Sequence, residues 1–177
     1  MNVTDLKINR ILQISAYLTF FALSTFYFYW FSSYIFFYQE KSTLFLVSFS
    51  YLAEHFSQPG GFLVWLAELQ TAFYFYPLAG AVIVSTEICL VVFVITEIGK
   101  VLTGKTFFLI PFLTGAILFY LQTNYQYVAF NNLGIFLQIL MFYLAIRFLN
   151  GAKMWIAVGL FPVWYILTGS FSLILLI

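Results

Sequence analysis

Residues 11–38 read ILQISAYLTFFALSTFYFYWFSSYIFFY and contain no Asp, Glu, Lys or Arg. At about 1.5 Å per residue they would form a helix about 42 Å long, whereas the hydrocarbon core of a bilayer is about 30 Å thick. Lys7 and Arg10 precede this stretch, as basic residues precede a signal peptide. The apolar run is too long for a signal peptide, however, and it ends in aromatic residues rather than in a small-residue cleavage site. We therefore predict a membrane anchor.

The composition of the whole chain agrees with a membrane protein. Of the 177 residues, 64% are hydrophobic and 7% are charged, against about 45–50% and about 25% in soluble domains. The net charge of +1, without a basic run, disfavours nucleic-acid binding. The single cysteine, Cys89, excludes an intrachain disulfide and a thiolate metal cluster. We predict an all-α polytopic transmembrane helical bundle whose partner is the lipid bilayer, with no cofactor, no metal and no nucleic acid.

Five apolar segments are expected to cross the bilayer. They are residues 11–38, 78–98, 106–121, 133–148 and 154–177. The third and fourth are short for spanning helices, so a re-entrant pair is the alternative for them. Pro111 and Pro162 are expected to kink the third and fifth helices. Because the fifth apolar run reaches the last residue, we expect residues 1–177 to be a single membrane domain at the N-terminal end of a longer chain.

The positive residues collect on one side of this arrangement. Six of the 7 lysines and arginines lie before the first segment, between the second and third, or from the end of the fourth to the start of the fifth. These six are Lys7, Arg10, Lys100, Lys105, Arg147 and Lys153. The other side receives only Lys41, together with several acidic residues. The positive-inside rule then places the N-terminus in the cytoplasm.

The long connection at residues 42–76 is predicted to form a helical hairpin at the outer membrane interface. Its two halves have nearly helical apolar spacing and are separated by a turn at Pro59, Gly60 and Gly61, where proline fixes one dihedral and glycine allows positive φ. The alternative is one long helix over residues 62–98, broken by a proline at its middle. Three aromatic residues of the hairpin are expected to face lipid, namely Trp65, Phe73 and Tyr74.

The sequence around this turn resembles an uncharacterised protein family. The pattern runs Tyr51 … Pro59-Gly60-Gly61-Phe62 … Gln70 … Tyr76-Pro77-Leu78-Ala79-Gly80 and follows an aromatic first segment. It is similar to that of bacterial multi-pass inner-membrane proteins known only as a domain of unknown function. The resemblance covers most of the chain and implies an integral protein of the bacterial inner (plasma) membrane. It implies no activity and supplies no catalytic residue.

Glu87 is the most unusual residue of the second segment, because it lies near the middle of the span. A charged side chain at the bilayer centre costs at least about 2.5 kcal/mol, so Glu87 is expected to face the bundle interior. Thr114 and Gln138, at similar depth in other segments, are the predicted hydrogen-bond partners of this intramembrane polar site. A proton or substrate site is one interpretation. A neutral acid that holds helices together through hydrogen bonds is the other.

A second group of polar residues lies on the predicted outer side. Glu40, Glu54 and His55 are candidates for acid–base chemistry at the membrane surface. Adjacent helical residues diverge by about 100°, however, so Glu54 and His55 do not readily reach one ligand together. A metal site is disfavoured because the chain has a single histidine and a single cysteine. Solvation at the interface explains these residues equally well.

Three functions are compatible with this sequence. The favoured one is a non-catalytic membrane module of a larger bacterial envelope protein or complex, whose membrane-protein partners are unknown. The second is an enzyme acting on a lipid-linked substrate, similar in layout to all-helical membrane glycosyltransferases, with Glu40 or Glu54 as the carboxylate. The third is a proton-coupled carrier that uses Glu87. The second would bind a lipid or lipid-linked ligand at the outer surface.

Overall fold

The described part of the chain consists of helices and their connections, which confirms the predicted all-α bundle. The structure is a computed structural model that describes residues 3–104, 106–148 and 154–176, with side chains over 11–104, 106–148 and 159–173. Lys105, Lys153 and Ile177, and the side chains of Lys7 and Arg10, lie outside this description. The α-helices are α1 (Val3–Trp30), α2 (Ser33–Ser42), α3 (Phe49–Phe56), α4 (Gly61–Ala72), α5 (Pro77–Thr103), α6 (Leu109–Gln122), α7 (Ala129–Phe148) and α8 (Met154–Thr168). Short 3₁₀ turns follow α4 and α8, at Phe73–Phe75 and Gly169–Leu176.

Helix α5 is the centre of the bundle and packs against α1, α6 and α7. It begins with Pro77 at its first position, where the missing N–H costs nothing, and it ends at Gly104 with φ of +68°. Gly115 of α6 lets this helix approach α5 closely. A Cβ on Gly115 would lie 2.5 Å from Val92. Because α5 is enclosed on several sides, its polar residues Ser85, Glu87 and Thr96 are buried.

Three helical segments are long and apolar enough to cross a membrane, which suggests a membrane protein. They are Ile11–Trp30, Pro77–Thr103 and Ala129–Phe148. Two shorter apolar helices also occur among the described residues, Leu109–Gln122 and Gly159–Leu173. Helix α7 starts four residues before the predicted fourth segment, which makes it long enough to span. This removes part of the argument for a re-entrant pair.

The first predicted segment is not one helix, and that expectation is corrected. Helix α1 ends at Trp30, Ser32 has φ of −125° and ψ of 20°, and α2 starts at Ser33. Paired serines compete with the helical backbone for hydrogen bonds, so a helix breaks more easily there. The change of direction turns Ile35 and Phe36 into the core, where both are fully buried.

The later segments also differ in detail from the prediction. Helix α6 begins at Leu109, so Pro111 lies in its first turn and does not kink it. Pro162 does lie inside α8. This α-helix ends at Thr168, and the chain continues as the 3₁₀ turn.

Residues 42–76 contain two short helices: α4, which belongs to the bundle, and α3, which packs on α4 and has no buried residue. Helix α4 packs against α7 and α8. The one-helix alternative over 62–98 is wrong, because Tyr76 is extended between the 3₁₀ turn and α5. The expectation that Tyr74 faces lipid is also wrong: its side chain is fully buried and packs on Phe36. Phe73 is exposed, as expected.

Candidate functional site

The turn between α3 and α4 holds the hairpin against the end of α8. Gly60 has φ of +82°, and its N–H donates to the carbonyl of Ile166 over 2.9 Å. Gly169, with φ of +61°, lies directly opposite, because a Cβ on Gly60 would be 3.1 Å from its Cα. A Cβ on Gly61 would be 1.7 Å from the carbonyl oxygen of His55. Together with Pro59, these glycines therefore form a tightly packed structural turn.

This turn brings three side chains of the hairpin together, which we call the outer cluster: Tyr51, His55 and Glu68. The Tyr51 hydroxyl lies 2.5 Å from Glu68 Oε2. His55 Nε2 is 3.1 Å from the same oxygen, and His55 Nδ1 is 2.9 Å from the Tyr51 carbonyl. Because a carbonyl oxygen only accepts, Nδ1 carries a proton. Glu68 on α4 is thus held by two residues that lie one turn apart on α3.

The outer cluster lies beside a small polar cavity. The cavity has a volume of about 210 Å³ and is lined by Glu54, His55, Gln58, Pro59, Gly61 and Val64. Burial, the hydrogen bond with Glu68 and the negative charges of Glu68 and Glu54 raise the pKa of Tyr51 to about 12. The phenol therefore stays protonated at neutral pH and donates a hydrogen bond. Of the outer cluster, His55 is the side chain that lines the cavity, where an imidazole can act as a general acid or base toward a ligand.

The sequence-predicted residues of the outer side are only partly brought together. Glu54 and His55 both line the cavity, although they are neighbours on α3. Glu40 lies on α2, where its backbone carbonyl accepts from Thr43 at the helix end. Among the described residues, no group of three His, Cys, Asp or Glu side chains could hold a metal ion.

A second polar group includes Glu87 and side chains that connect to it inside the bundle. We call it the amide–carboxyl cluster, and its members are Gln39, Gln70, Glu87, Gln122, Tyr127 and Asn132. Gln70 and Asn132 face the carboxyl of Glu87, which is 7% exposed. The Asn132 amide donates to Gln122 over 3.1 Å, and the Gln39 amide donates to the Tyr127 carbonyl over 2.8 Å. Burial and then the charge of Glu87 raise the pKa of Tyr127, so this phenol lies within electrostatic reach of the carboxyl.

Several side-chain atoms of the amide–carboxyl cluster are buried and have no hydrogen-bond partner among the described residues. They are Gln39 Oε1, Glu87 Oε2, Gln122 Nε2, the Tyr127 hydroxyl and Asn132 Oδ1. A buried polar group without a partner costs about 1–3 kcal/mol. Because most buried polar groups in proteins have a partner, this cluster is a candidate site for a polar species.

The predicted partners of Glu87 form their hydrogen bonds elsewhere. Thr114 donates to the carbonyl of Ile110 in its own helix, over 3.0 Å. Gln138 donates to Thr168 over 2.9 Å and accepts from the indole of Trp164 over 2.9 Å, so it joins α7 to α8. The expectation that these two side chains bond to Glu87 is therefore wrong.

Sequence reasoning does not bring the members of either cluster together. Tyr51 and Glu68 are 17 residues apart, and only the turn makes them neighbours. Gln39, Gln122 and Asn132 lie on three different helices, α2, α6 and α7. The available signal was the presence of amide side chains at the ends of apolar segments, where each one alone is also typical of a solvated interface.

One family accounts for nearly the whole chain. The model of a family described as "Family of unknown function (DUF6057)" matches residues 7–177. No curated protein and no solved structure matches the chain. The resemblance to a domain of unknown function is thus confirmed, and the match transfers no activity.

Proposed function

We propose, for a chain that belongs to the DUF6057 family of unknown function, a multi-pass protein of the bacterial inner membrane that serves as the membrane module of a larger envelope protein or complex. The observation that supports this best is the combination of three long apolar helices with basic residues on one side. Lys100 lies at the C-terminal end of α5 and Arg147 at that of α7. With five crossing segments, both ends face the cytoplasm, as does the N-terminus.

Cysteine labelling in intact cells tests this topology. In a background with Cys89→Ser, Gln126→Cys puts one thiol in the α6–α7 connection and Thr106→Cys puts one in the α5–α6 connection, both at exposed positions. A membrane-impermeant maleimide should label Gln126→Cys in intact cells and Thr106→Cys only after permeabilisation. Labelling of Thr106→Cys alone in intact cells would reverse the proposed orientation, and equal labelling of both would contradict a multi-pass topology.

A second candidate function is the handling of a lipid-linked substrate at the outer cluster. It is supported by the cavity of about 210 Å³ next to His55 and Glu54, since carboxylate, imidazole and amide groups suit the hydroxyls of a sugar headgroup. In this proposal the headgroup occupies the cavity while its lipid lies along the bundle. Glu54 and His55 contact the headgroup, and Tyr51 and Glu68 position His55.

Native mass spectrometry tests this second function. The detergent-purified protein would be mixed with polyprenyl-phosphate-linked N-acetylglucosamine and the bound fraction compared among variants. Glu54→Gln and His55→Ala should lower the bound fraction about tenfold, the loss expected when about 1.4 kcal/mol of contact is removed. Glu97→Gln is the matched control, because Glu97 pairs with Lys100 at the other end of α5. Equal binding by all four proteins would exclude this cavity as the headgroup site.

A further inference from the structure

The amide–carboxyl cluster contains more buried acceptors than donors among its unsatisfied atoms. Gln39 Oε1 and Asn132 Oδ1 only accept, and Glu87 Oε2 only accepts while the carboxyl is ionised, whereas the Tyr127 hydroxyl can do either. One atom, Gln122 Nε2, only donates. With Glu87 ionised, a species that fits here must therefore bring positive charge or several donors to a set of oxygen atoms.

No cation in the described part of the chain pairs with Glu87. Lys41 is exposed in the last turn of α2. Lys100 pairs with Glu97, and His55 pairs with Glu68 in the outer cluster. Arg147 contacts Tyr143 at the far end of α7. A buried carboxylate without a countercharge costs several kcal/mol, so the charge must be neutralised either by a proton or by an ion from outside the chain.

We propose that the amide–carboxyl cluster binds one Na⁺ ion, with Glu87 Oε2 and Asn132 Oδ1 as its ligands from the protein. Carboxylate and amide oxygens are hard ligands that suit a hard cation. One carboxylate matches a single positive charge, whereas divalent sites usually include several carboxylates.

The location of the cluster suits an ion that enters from the outer side. Asn132 is the fourth residue of α7, Gln122 the last of α6, and Gln39 belongs to the last turns of α2. Each of these helices packs against α5, and Asn132 of α7 faces Glu87 on it. The inference goes beyond the proposed membrane module, because it assigns a ligand to the interior of the bundle.

Thermal unfolding in detergent tests the proposal. The full chain would be heated in sodium chloride and in choline chloride of equal ionic strength, at one mildly alkaline pH. A site half-filled at about 10 mM sodium should raise the Tm by about 3–6 °C at about 100 mM sodium relative to choline. Glu87→Gln should abolish the difference. The control Glu97→Gln changes the same chemical group on the same helix outside the cluster and should keep it.

Direct binding of radioactive ²²Na⁺ keeps the proposal testable even if Glu87→Gln fails to fold. The wild-type protein should retain about one ion per chain above a detergent blank, and excess unlabelled sodium, but not choline, should displace it. Absence of specific ²²Na⁺ binding by the folded wild type would overturn the proposal. So would a Tm that depends on pH but not on sodium, because the carboxyl would then hold a proton instead. Retention of full binding by folded Glu87→Gln would place the ion elsewhere.

Discussion

Substitution of Gly61 by alanine tests most directly whether the hairpin is packed as the structure shows. A Cβ at this position would be 1.7 Å from the carbonyl oxygen and 2.6 Å from the carbonyl carbon of His55. Both contacts are with backbone, which moves less easily than the end of a side chain. The backbone would have to shift by more than about 1 Å, and α4 would leave its position on α7 and α8. We expect a loss of about 3 kcal/mol or more, at the upper end of overpacking effects.

Alanine substitutions at three other glycines show how much of this loss comes from steric overlap and how much from backbone strain. Gly99 lies in α5 with nothing within 4 Å of an added Cβ, so Gly99→Ala should stabilise the protein by about 0.5–1 kcal/mol through helix propensity. Gly104 has φ of +68° and equally open surroundings, so Gly104→Ala should cost about 1–2 kcal/mol from backbone strain alone. Gly60 combines a positive φ with backbone of Gly169 at 3.1 Å, and Gly60→Ala should cost about 2–3 kcal/mol.

Thermal unfolding in one detergent would give the order of the four variants. With about 2–4 °C per kcal/mol for a chain of this size, Gly61→Ala should lower the Tm by about 6–12 °C. The expected order of stability is Gly99→Ala, Gly104→Ala, Gly60→Ala and Gly61→Ala. If Gly61→Ala unfolded within about 0.5 kcal/mol of Gly99→Ala, the turn would not be packed on His55, and the outer cluster that depends on it would lose its basis.

The remaining predictions concern hydrogen bonds. Gln138→Leu leaves the indole of Trp164 without its acceptor and should lower the free energy of unfolding by about 2–4 kcal/mol. Thr114→Val should change it by less than about 0.5 kcal/mol. Similar Tm values for the two variants would contradict this. The pKa of Tyr51 is raised from 10 to about 12, so at pH 11 about one tenth of it should be ionised against about nine tenths of an ordinary tyrosine. The folded state then binds more protons than the unfolded state between pH 10 and about 12, and its stability falls over that range. Tyr51→Phe should make this fall smaller in alkaline unfolding curves, and an unchanged fall would show that the contact with Glu68 does not perturb Tyr51.

The helices could be predicted from the sequence because their cause is local. A run of apolar residues in a membrane forms the hydrogen bonds of its backbone N–H and C=O groups within its own helix, wherever the neighbouring helices lie. The break at Ser32 could not be predicted with the same ease, since residues 11–38 carry no charge and no proline. Its position depends on packing: only after a change of direction can Phe36 contact Tyr74 and Gly80.

The two polar clusters could not be predicted because their cause is not local. Glu87 was recognisable, since a carboxyl in the middle of an apolar helix is costly wherever it faces. Similar depth in the bilayer predicts Thr114 and Gln138 as the neighbours of Glu87. Depth alone leaves open which face of each helix is turned inward. In the structure, Gln138 faces α8 and Thr114 bonds within its own helix.

Helix α4 connects the outer cluster with the interior of the bundle. Glu68 and Gln70 are two positions apart and therefore project about 200° apart around the helix axis. Glu68 meets Tyr51 and His55, whereas Gln70 faces Glu87 and donates to Tyr74 over 2.6 Å. One short helix thus has a polar residue on each side, and a rotation of α4 that improves one contact displaces the other. Because Gly61 begins α4 and an added Cβ there would meet the His55 backbone at 1.7 Å, a substitution at Gly61 is expected to displace the side chains of both clusters.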